Sequence, residues 1–301
     1  MTTSSQTEND KQEQFEIVNL KNGLKSLRSL ANLETFHPVT GPRVESRILY
    51  VESQNLIERW RGSTTEFVIW DVGFGAGANV TAVIEAIEQE LSKGQQSMAK
   101  LRPIRILSFD RSTAPIEFAL KNVDSLDYLK NHEAHLLELL SSRRVRLHQL
   151  IDWQLILSDF SQLVFVSNSS DWAAPHAILF DPYSAYKNSE MWSLELFTAL
   201  RGFLPQNEVS LLTNYTRSTS VRVTLLLAGF FVGVGTEVGE KSETTVASNQ
   251  LAALYRPLTR DWLKRVECSR NSAPIRASGL KKDVPISKED FAKLLTHPQF
   301  S

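Results

Sequence analysis

Between Trp70 and Asn79 the chain reads W-D-V-G-F-G-A-G-A-N, with Gly73, Gly75 and Gly77 at alternate positions and Asp71 two residues ahead of the first. Glycines spaced this way let a backbone turn tightly and approach a ligand with no side chain in between. Phe74 and Asn79 lie in the same stretch and are read with Asp71 and the glycines as a cofactor-binding loop. Farther along, R-I-L-S-F-D ends in Asp110, L-I-L-S-D-F sets Asp159 beside Phe160, and F-D-P-Y sets Asp181 beside Pro182 and Tyr183. Ionised carboxylates accept hydrogen bonds from hydroxyl and amine donors, and a neighbouring ring offers a face for stacking. Acids that follow successive apolar runs fall where ligands of open α/β sheets sit, at the carboxyl ends of strands.

Taken alone, the glycine loop leaves a dinucleotide open, because Gly73, Gly75 and Ala78 also satisfy G-x-G-x-x-[GA]. The D-x-G-x-G-x-G spacing favours S-adenosylmethionine, as does Asp110, placed to accept both ribose hydroxyls. Asp159 stands where methyltransferases that hold this cofactor on an open α/β sheet commonly bind its adenine amino group, with Phe160 available to lie against the ring.

Asp181 suits methyl transfer to nitrogen, an in-line displacement that needs a deprotonated, aimed amine. A simple alkylamine has a pKa of about 10.4 by analogy with lysine, so most of it arrives protonated. Asp181 can accept its N–H bond, orient it and receive its proton. Pro182 fixes the turn and offers its carbonyl as a second acceptor, while the Tyr183 ring can stack an extruded base, worth roughly 1–3 kcal/mol. Lys187 reads either as a phosphate contact or as a solvated loop lysine. Asn188 either holds the loop or, with Ser189, caps the next helix. Met191, Trp192 and Leu196 fall at helical spacing and read as core.

These residues need a sheet to carry them. Apolar runs at Phe67–Val72, Arg105–Phe109, Trp153–Leu157, Ala177–Phe180 and Val209–Thr213 predict strands. Helical spacing predicts helices over 78–91, 116–123 (opened by Pro115), 126–140, 190–203 and 219–228. Strand-then-helix units imply a parallel sheet with helices on both faces. Phe230–Val234 and Val246–Tyr255, with no helix between them, predict a closing antiparallel hairpin. The fold class is therefore α/β: a class I methyltransferase, Rossmann-like doubly wound sheet with a terminal hairpin and small appendages. The expected domains are a disordered leader (1–16), an N-terminal appendage (17–60), the methyltransferase domain (61–256) and a basic C-terminal extension (257–301).

At 301 residues and 42% hydrophobic content the chain can bury a substantial core. Its formal net charge of −1 means that any nucleic-acid contact comes from local basic patches. Cys268 is the single cysteine, which excludes an internal disulfide and a cysteine-rich zinc site. No apolar run approaches the length of a membrane span, and the polar N-terminus is unlike a targeting peptide, so a cytoplasmic setting is expected. His132 and His135 lie three apart without a third ligand, so no metal is expected.

The order of D-V-G-F-G-A-G-A-N, S-F-D, L-S-D-F and F-D-P-Y-S-A-Y-K-N-S-E-M-W-S-L-E-L-F resembles the methyltransferase domain of the MnmC family. The resemblance runs from about Leu33 to Pro274 and is most specific at Asp181, Tyr183, Lys187, Asn188, Met191 and Trp192. A-G-F-F at 228–231 and G-E-K-S-E-T-T-V-A at 239–247 add to it. Ala185 and Ser189 depart from it, standing where the family commonly has prolines. The resemblance implies transfer of a methyl group to the aminomethyl group of 5-aminomethyl (2-thio)uridine at the wobble position of tRNA, with the anticodon stem-loop as partner. The flavin oxidase domain of some members has no counterpart motif here, so no flavin is expected. Arg143, Arg144, Arg146, Arg217, Arg222 and the basic segment from Arg256 to Lys282 are candidate phosphate contacts. A methyltransferase of the same fold acting on a small-molecule amine, or a non-catalytic nucleotide- or RNA-binding module, remain the alternatives.

Overall fold

The computed structural model describes residues 14–94, 101–168, 172–237 and 243–301. Its centre is an eight-stranded sheet in the order β10-β11-β9-β8-β4-β5-β7-β6. The strands are β4 (Phe67–Val72), β5 (Ile104–Asp110), β6 (Arg144–Leu147), β7 (Ile151–Leu157), β8 (Ala177–Phe180), β9 (Leu211–Asn214), β10 (Phe231–Gly235) and β11 (Thr244–Ser248). β4 pairs in parallel with β5 and β8, β5 with β7, and β8 with β9. From β4 the chain builds outward to one side, then returns to lay β8 on the other side. The sheet therefore reverses direction between β4 and β8, the kind of crevice where such folds bind ligands.

Alternation along β4 divides the core. Phe67 and Ile69 enter the layer under α3 (Ala78–Ser92), whereas Val68, Trp70 and Val72 enter the layer of α7 (Leu194–Arg201) and α8 (Thr219–Leu227). The expected closing hairpin is present: β11 runs antiparallel to both β10 and β9. It begins at Thr244, earlier than expected, and a 3-10 turn, Leu251–Ala253, follows it. Residues 239–242 of the G-E-K-S-E-T-T-V-A stretch lie outside the described residues.

Other elements differ from the sequence reading. The helix expected over 126–140 divides into a 3-10 turn, Asp127–Leu129, and α5 (Glu133–Ser142), with α4 (Ala114–Lys121) before them. β6 follows α5 and was not foreseen: the alternation in R-V-R-L is a strand signal, but only four residues long and set among arginines. The helix expected from Glu190 is a 3-10 turn, Ser189–Trp192, followed by α7, whose N-cap is Ser193 accepting from Leu196 N, and not Asn188 or Ser189. After β7 comes the short α6 (Phe160–Val166), capped by Asp159.

Ahead of the sheet stands a small antiparallel unit of β1 (Phe15–Asn19), β2 (Lys25–Ser29) and β3 (Glu34–Thr35), then α1 (Pro42–Ser46), a π-helical turn (Arg47–Glu52) and α2 (Leu56–Arg61). β1 starts inside the stretch expected to be a disordered leader, of which residues 1–13 lie outside the described residues. The wide π turn buries Leu49, Tyr50 and Val51 together against the main domain. At the other end, α9 (Trp262–Cys268) and α10 (Lys288–Leu295) place Leu263, Val266, Leu294 and Phe300 in the α7–α8 layer, so the C-terminal segment shares the domain's core. Many of its cations are paired: Lys264 with Asp261, Arg265 with Glu243, Arg276 with Asp290 and Lys293 with Glu289.

Candidate active site

At the β4/β8 reversal lies a cavity of about 510 Å³. Gly73, Phe74, Gly75, Asn79, Asp110, Asp159, Phe160, Asp181, Pro182, Tyr183 and Asn188 all line it, so the sequence-predicted residues largely converge. Convergence follows from topology: Gly73 and Asp181 each leave the carboxyl end of adjacent parallel strands, and Asp181 N donates to Val72 O at 2.9 Å. A Cβ on Gly73 would stand 2.8 Å from the Asp181 carbonyl oxygen, so the two turns touch backbone to backbone. Asp110 holds the loop from the other side, its Oδ2 accepting from Gly75 N at 2.8 Å and its Oδ1 from Arg111 N at 2.7 Å and Ser112 N at 3.2 Å. Those three bonds occupy part of the roughly four acceptor positions of a carboxylate, leaving capacity for a hydroxyl donor. Burial pushes Asp110 up, against those N–H bonds. Asp159 accepts from Ser161 N at 2.9 Å as a helix cap, and Phe160 packs edge-on to Phe109 at 5.0 Å.

Two expected cofactor contacts stand elsewhere. Asp71 is fully buried and does not line the cavity; its Oδ2 accepts from Ser108 Oγ at 2.8 Å, and Trp153 Nε1 donates to that same Oγ at 3.0 Å. A side chain within a strand flanked on both sides cannot turn out to a ligand at the strand's tip. Burial pushes its carboxyl up to about 7. Gly77 also misses the cavity, opening α3 with φ +77° where a Cβ would press on Ile116 Cδ1 at 3.3 Å. Lys187 is exposed on the loop outside the cavity, a place that fits both a phosphate contact and a solvated lysine. Arg222, a candidate phosphate contact by sequence, is buried under β11, donating through Nε to Thr245 Oγ1 at 3.0 Å and through Nη2 to Thr244 O at 2.8 Å.

The state of Asp71 carries a stability prediction. Its folded pKa exceeds the unfolded value of 3.8, so the folded protein binds the extra proton between that pH and about 7. Stability that this group allows at low pH is lost as pH rises through that window and stays lost above it. Asp71→Asn cannot ionise, so its melting temperature relative to wild type should rise between about pH 4 and pH 8; thermal melts across that range check this, and parallel curves would contradict it.

Asp181 is the centre of the arrangement. Asn79 Nδ2 donates to its Oδ2 at 2.7 Å, and Asn79 Oδ1 in turn accepts from Ser46 Oγ at 2.7 Å. His37 Nε2 stands 3.9 Å from the same Oδ2. Burial pushes the Asp181 carboxyl up, with His37 and the Asn79 bond opposing. The buried Tyr50 phenol is raised well above its ordinary value, first by burial and then by the Asp181 charge. Tyr215 is raised for the same reasons, and its hydroxyl donates to Pro182 O at 3.1 Å, engaging the carbonyl expected to be a second acceptor for an amine. Trp192 Nε1 donates to Tyr183 O at 2.9 Å, which gives that core residue a part in shaping the loop.

The roof of the cavity was not foreseen. Leu33 to Val39, with Glu45 and Leu49, supply one wall. The Phe36 ring lies 5.7 Å from that of Tyr183, and Glu34 accepts from both the backbone N and the hydroxyl of Ser184, fastening β3 to the loop after β8. The turn residues in E-T-F-H-P-V-T-G-P-R signal a change of direction but not what the turn covers.

Comparison with known proteins fits this geometry. Residues 127–250 match a protein family described as S-adenosyl-L-methionine-dependent methyltransferase. With this fold and this switch-point cavity, that match supports an S-adenosyl-L-methionine-dependent methyltransferase. Within that class it is similar to the tRNA 5-methylaminomethyl-2-thiouridine biosynthesis bifunctional protein MnmC. It is 27% identical to the Pseudomonas fluorescens protein over 210 residues, 66% of this chain and 29% of the relative. It is 25% identical to a Vibrio cholerae serotype O1 protein over 211 residues, 68% of this chain and 31% of that one. The matched region thus spans about a third of the length of these relatives. The crystal structure of MnmC2 from Aquifex aeolicus superimposes with a TM-score of 0.68 at 23% identity, covering 96% of this chain and 85% of that one. Among the described residues no helix is long and apolar enough to cross a membrane, and no group of His, Cys, Asp and Glu has the makings of a metal site.

Proposed function

We propose that the protein methylates the exocyclic amine of 5-aminomethyl (2-thio)uridine at the tRNA wobble position, in the cytoplasm, yielding 5-methylaminomethyl (2-thio)uridine. The observation that carries this reading is a raised carboxylate, Asp181, placed on the cavity wall against the glycine turn and beside the Tyr183 ring. Similarity to proteins named for 5-methylaminomethyl-2-thiouridine biosynthesis supports the choice of amine.

The cavity fits S-adenosylmethionine: Gly73 and Gly75 present bare backbone, Asp110 retains acceptor capacity, and Asp159 and Phe160 close the far end. When bound, that group supplies an electrophilic methyl on a positively charged sulfur. Asn79 fixes Oδ2 of Asp181, and the carboxylate's further acceptor positions can receive an N–H of the amine and hold its lone pair in line. A carboxylate raised by burial is a better proton acceptor than an exposed one, which suits an ammonium that must lose a proton first. Tyr183, propped by Phe36 and by the Trp192 bond to its carbonyl, offers the ring for the uracil.

The test is nucleoside analysis of tRNA from cells lacking the gene, together with methyl transfer by the purified protein to tRNA carrying the aminomethyl group. Accumulated unmethylated amine in the first and turnover in the second are expected; normal methylated uridine in the deletion sinks the reading. Tyr183→Ala should weaken tRNA binding by roughly 1–3 kcal/mol, about 5- to 150-fold in KM, with cofactor binding retained. Unchanged tRNA saturation would remove the stacking role.

A further inference from the structure

His37 sits between two carboxylates. Its Nε2 is 3.9 Å from Asp181 Oδ2 and its Nδ1 is 4.0 Å from Glu45 Oε2, with its side chain 11% exposed. The ring is held there by unusual backbone: His37 has φ +46°, a conformation few residues other than glycine adopt, and Pro38 follows it. Glu45 is fixed in turn, its Oε1 accepting from Val39 N at 2.8 Å and Thr40 N at 2.7 Å. Other ionisable groups acting on Asp181 include the Tyr50 and Tyr215 phenols and Asp71, none of them a base. The imidazole is thus a basic ring set between two acids.

We propose that His37 is a positioning and proton-accepting residue for Asp181, completing a line from substrate amine through Asp181 and His37 to Glu45. This rests on the amine-methylating reading above. The ammonium N–H breaks and its proton goes to Asp181. The lone pair left on nitrogen forms the N–C bond as the methyl carbon's bond to sulfur breaks, that pair going to sulfur. Once the protonated carboxyl turns to present its proton to the ring and the 3.9 Å gap closes to a hydrogen bond, the proton passes from Asp181 to Nε2. The imidazolium is held between the Asp181 and Glu45 carboxylates, and its Nδ1 proton leaves toward Glu45, which restores both Asp181 and a neutral ring. A histidine suits this place because one ring nitrogen can accept a proton while the other releases one.

Two measurements test it. The first is the side-chain 15N NMR spectrum of the free protein, with the His37 signals assigned by their loss in His37→Gln. If the ring faces both acids, Asp181→Asn and Glu45→Gln each displace those signals. Signals unmoved in both variants overturn the proposal. The second is the pH profile of methyl transfer by His37→Gln, with folding verified by thermal melt. Without the imidazole, kcat should fall on the order of 10- to 100-fold, the acid limb should change position, KM for tRNA should hold, and added imidazole should restore part of the rate. An unaltered profile beside normal wild-type turnover overturns the role of His37 alone, whereas wild-type protein inert on aminomethyl tRNA overturns the functional reading and this proposal with it.

Discussion

Asp181→Ala eliminates methyl transfer, lowering kcat on the order of 10³-fold or more, while cofactor affinity stays nearly intact. Two losses combine in kcat. The amine is left protonated far below its pKa of about 10.4, and its lone pair is no longer aimed by the acceptor at the sheet tip. Cofactor affinity holds because the loop is secured by Asp110 through Gly75 N and by Phe109 O through Gly73 N and Phe74 N, none of which involves the Asp181 side chain. Asp181→Asn separates the two losses: it keeps the shape and an acceptor oxygen but cannot take the proton. It should remain deeply impaired at neutral pH and recover partly at high pH, where more of the amine arrives neutral. Single-turnover transfer beside calorimetric cofactor titration decides the matter. Undiminished transfer by the alanine variant would remove Asp181 from the chemistry.

What was readable in the sequence were the features fixed by near neighbours along the chain. Apolar runs interrupted by helical spacing specify the parallel sheet, and the paired closing runs specify the hairpin, because periodicity is a local property. Gly73, Gly75 and Asp110 were found for the same reason: each sits at or just past a strand end, where chain direction alone sets it at the ligand crevice. Asp71 shows the limit. One residue short of the β4 end, it pairs across to Ser108 of β5, and no spacing rule separates an acid that faces a ligand from one sealed beneath it. Arg222 shows the same limit for charge, since its helix turns it inward against Thr245 and Glu243. The roof was illegible for a different reason. His37, Glu45 and Tyr50 reach Asp181 only after the N-terminal unit folds across the sheet, and Tyr215 reaches Pro182 only because β8 and β9 are neighbours.

The glycines divide on the same physical grounds, and the sharpest expectation falls on Gly73 rather than Gly75. Gly73 has φ +91°, which side chains rarely adopt, and a Cβ there would lie 2.8 Å from the Asp181 oxygen, 2.9 Å from its carbonyl carbon and 3.1 Å from Pro182 N. Those are backbone atoms, and Asp181 N is itself tied to Val72 O, so the crowded turn has no flexible side chain that can move aside. Gly73→Ala must therefore part the cofactor loop from the catalytic turn, and a displacement near 1 Å is enough to cost on the order of 100-fold in a positioned reaction. Gly75 differs: its φ is +53° and a Cβ would meet only Phe36 Cε2 at 3.5 Å and Gly73 O at 3.8 Å, ordinary contacts. Gly75→Ala then carries mainly the left-handed backbone penalty, roughly 1–2 kcal/mol, and a larger side chain there would strike Phe36 and lift the roof. Cofactor titration and transfer rates of both alanine variants, with thermal melts to verify folding, should rank Gly73→Ala far below Gly75→Ala in each. A Gly73→Ala protein that binds and transfers like wild type would show that the two turns do not depend on their contact.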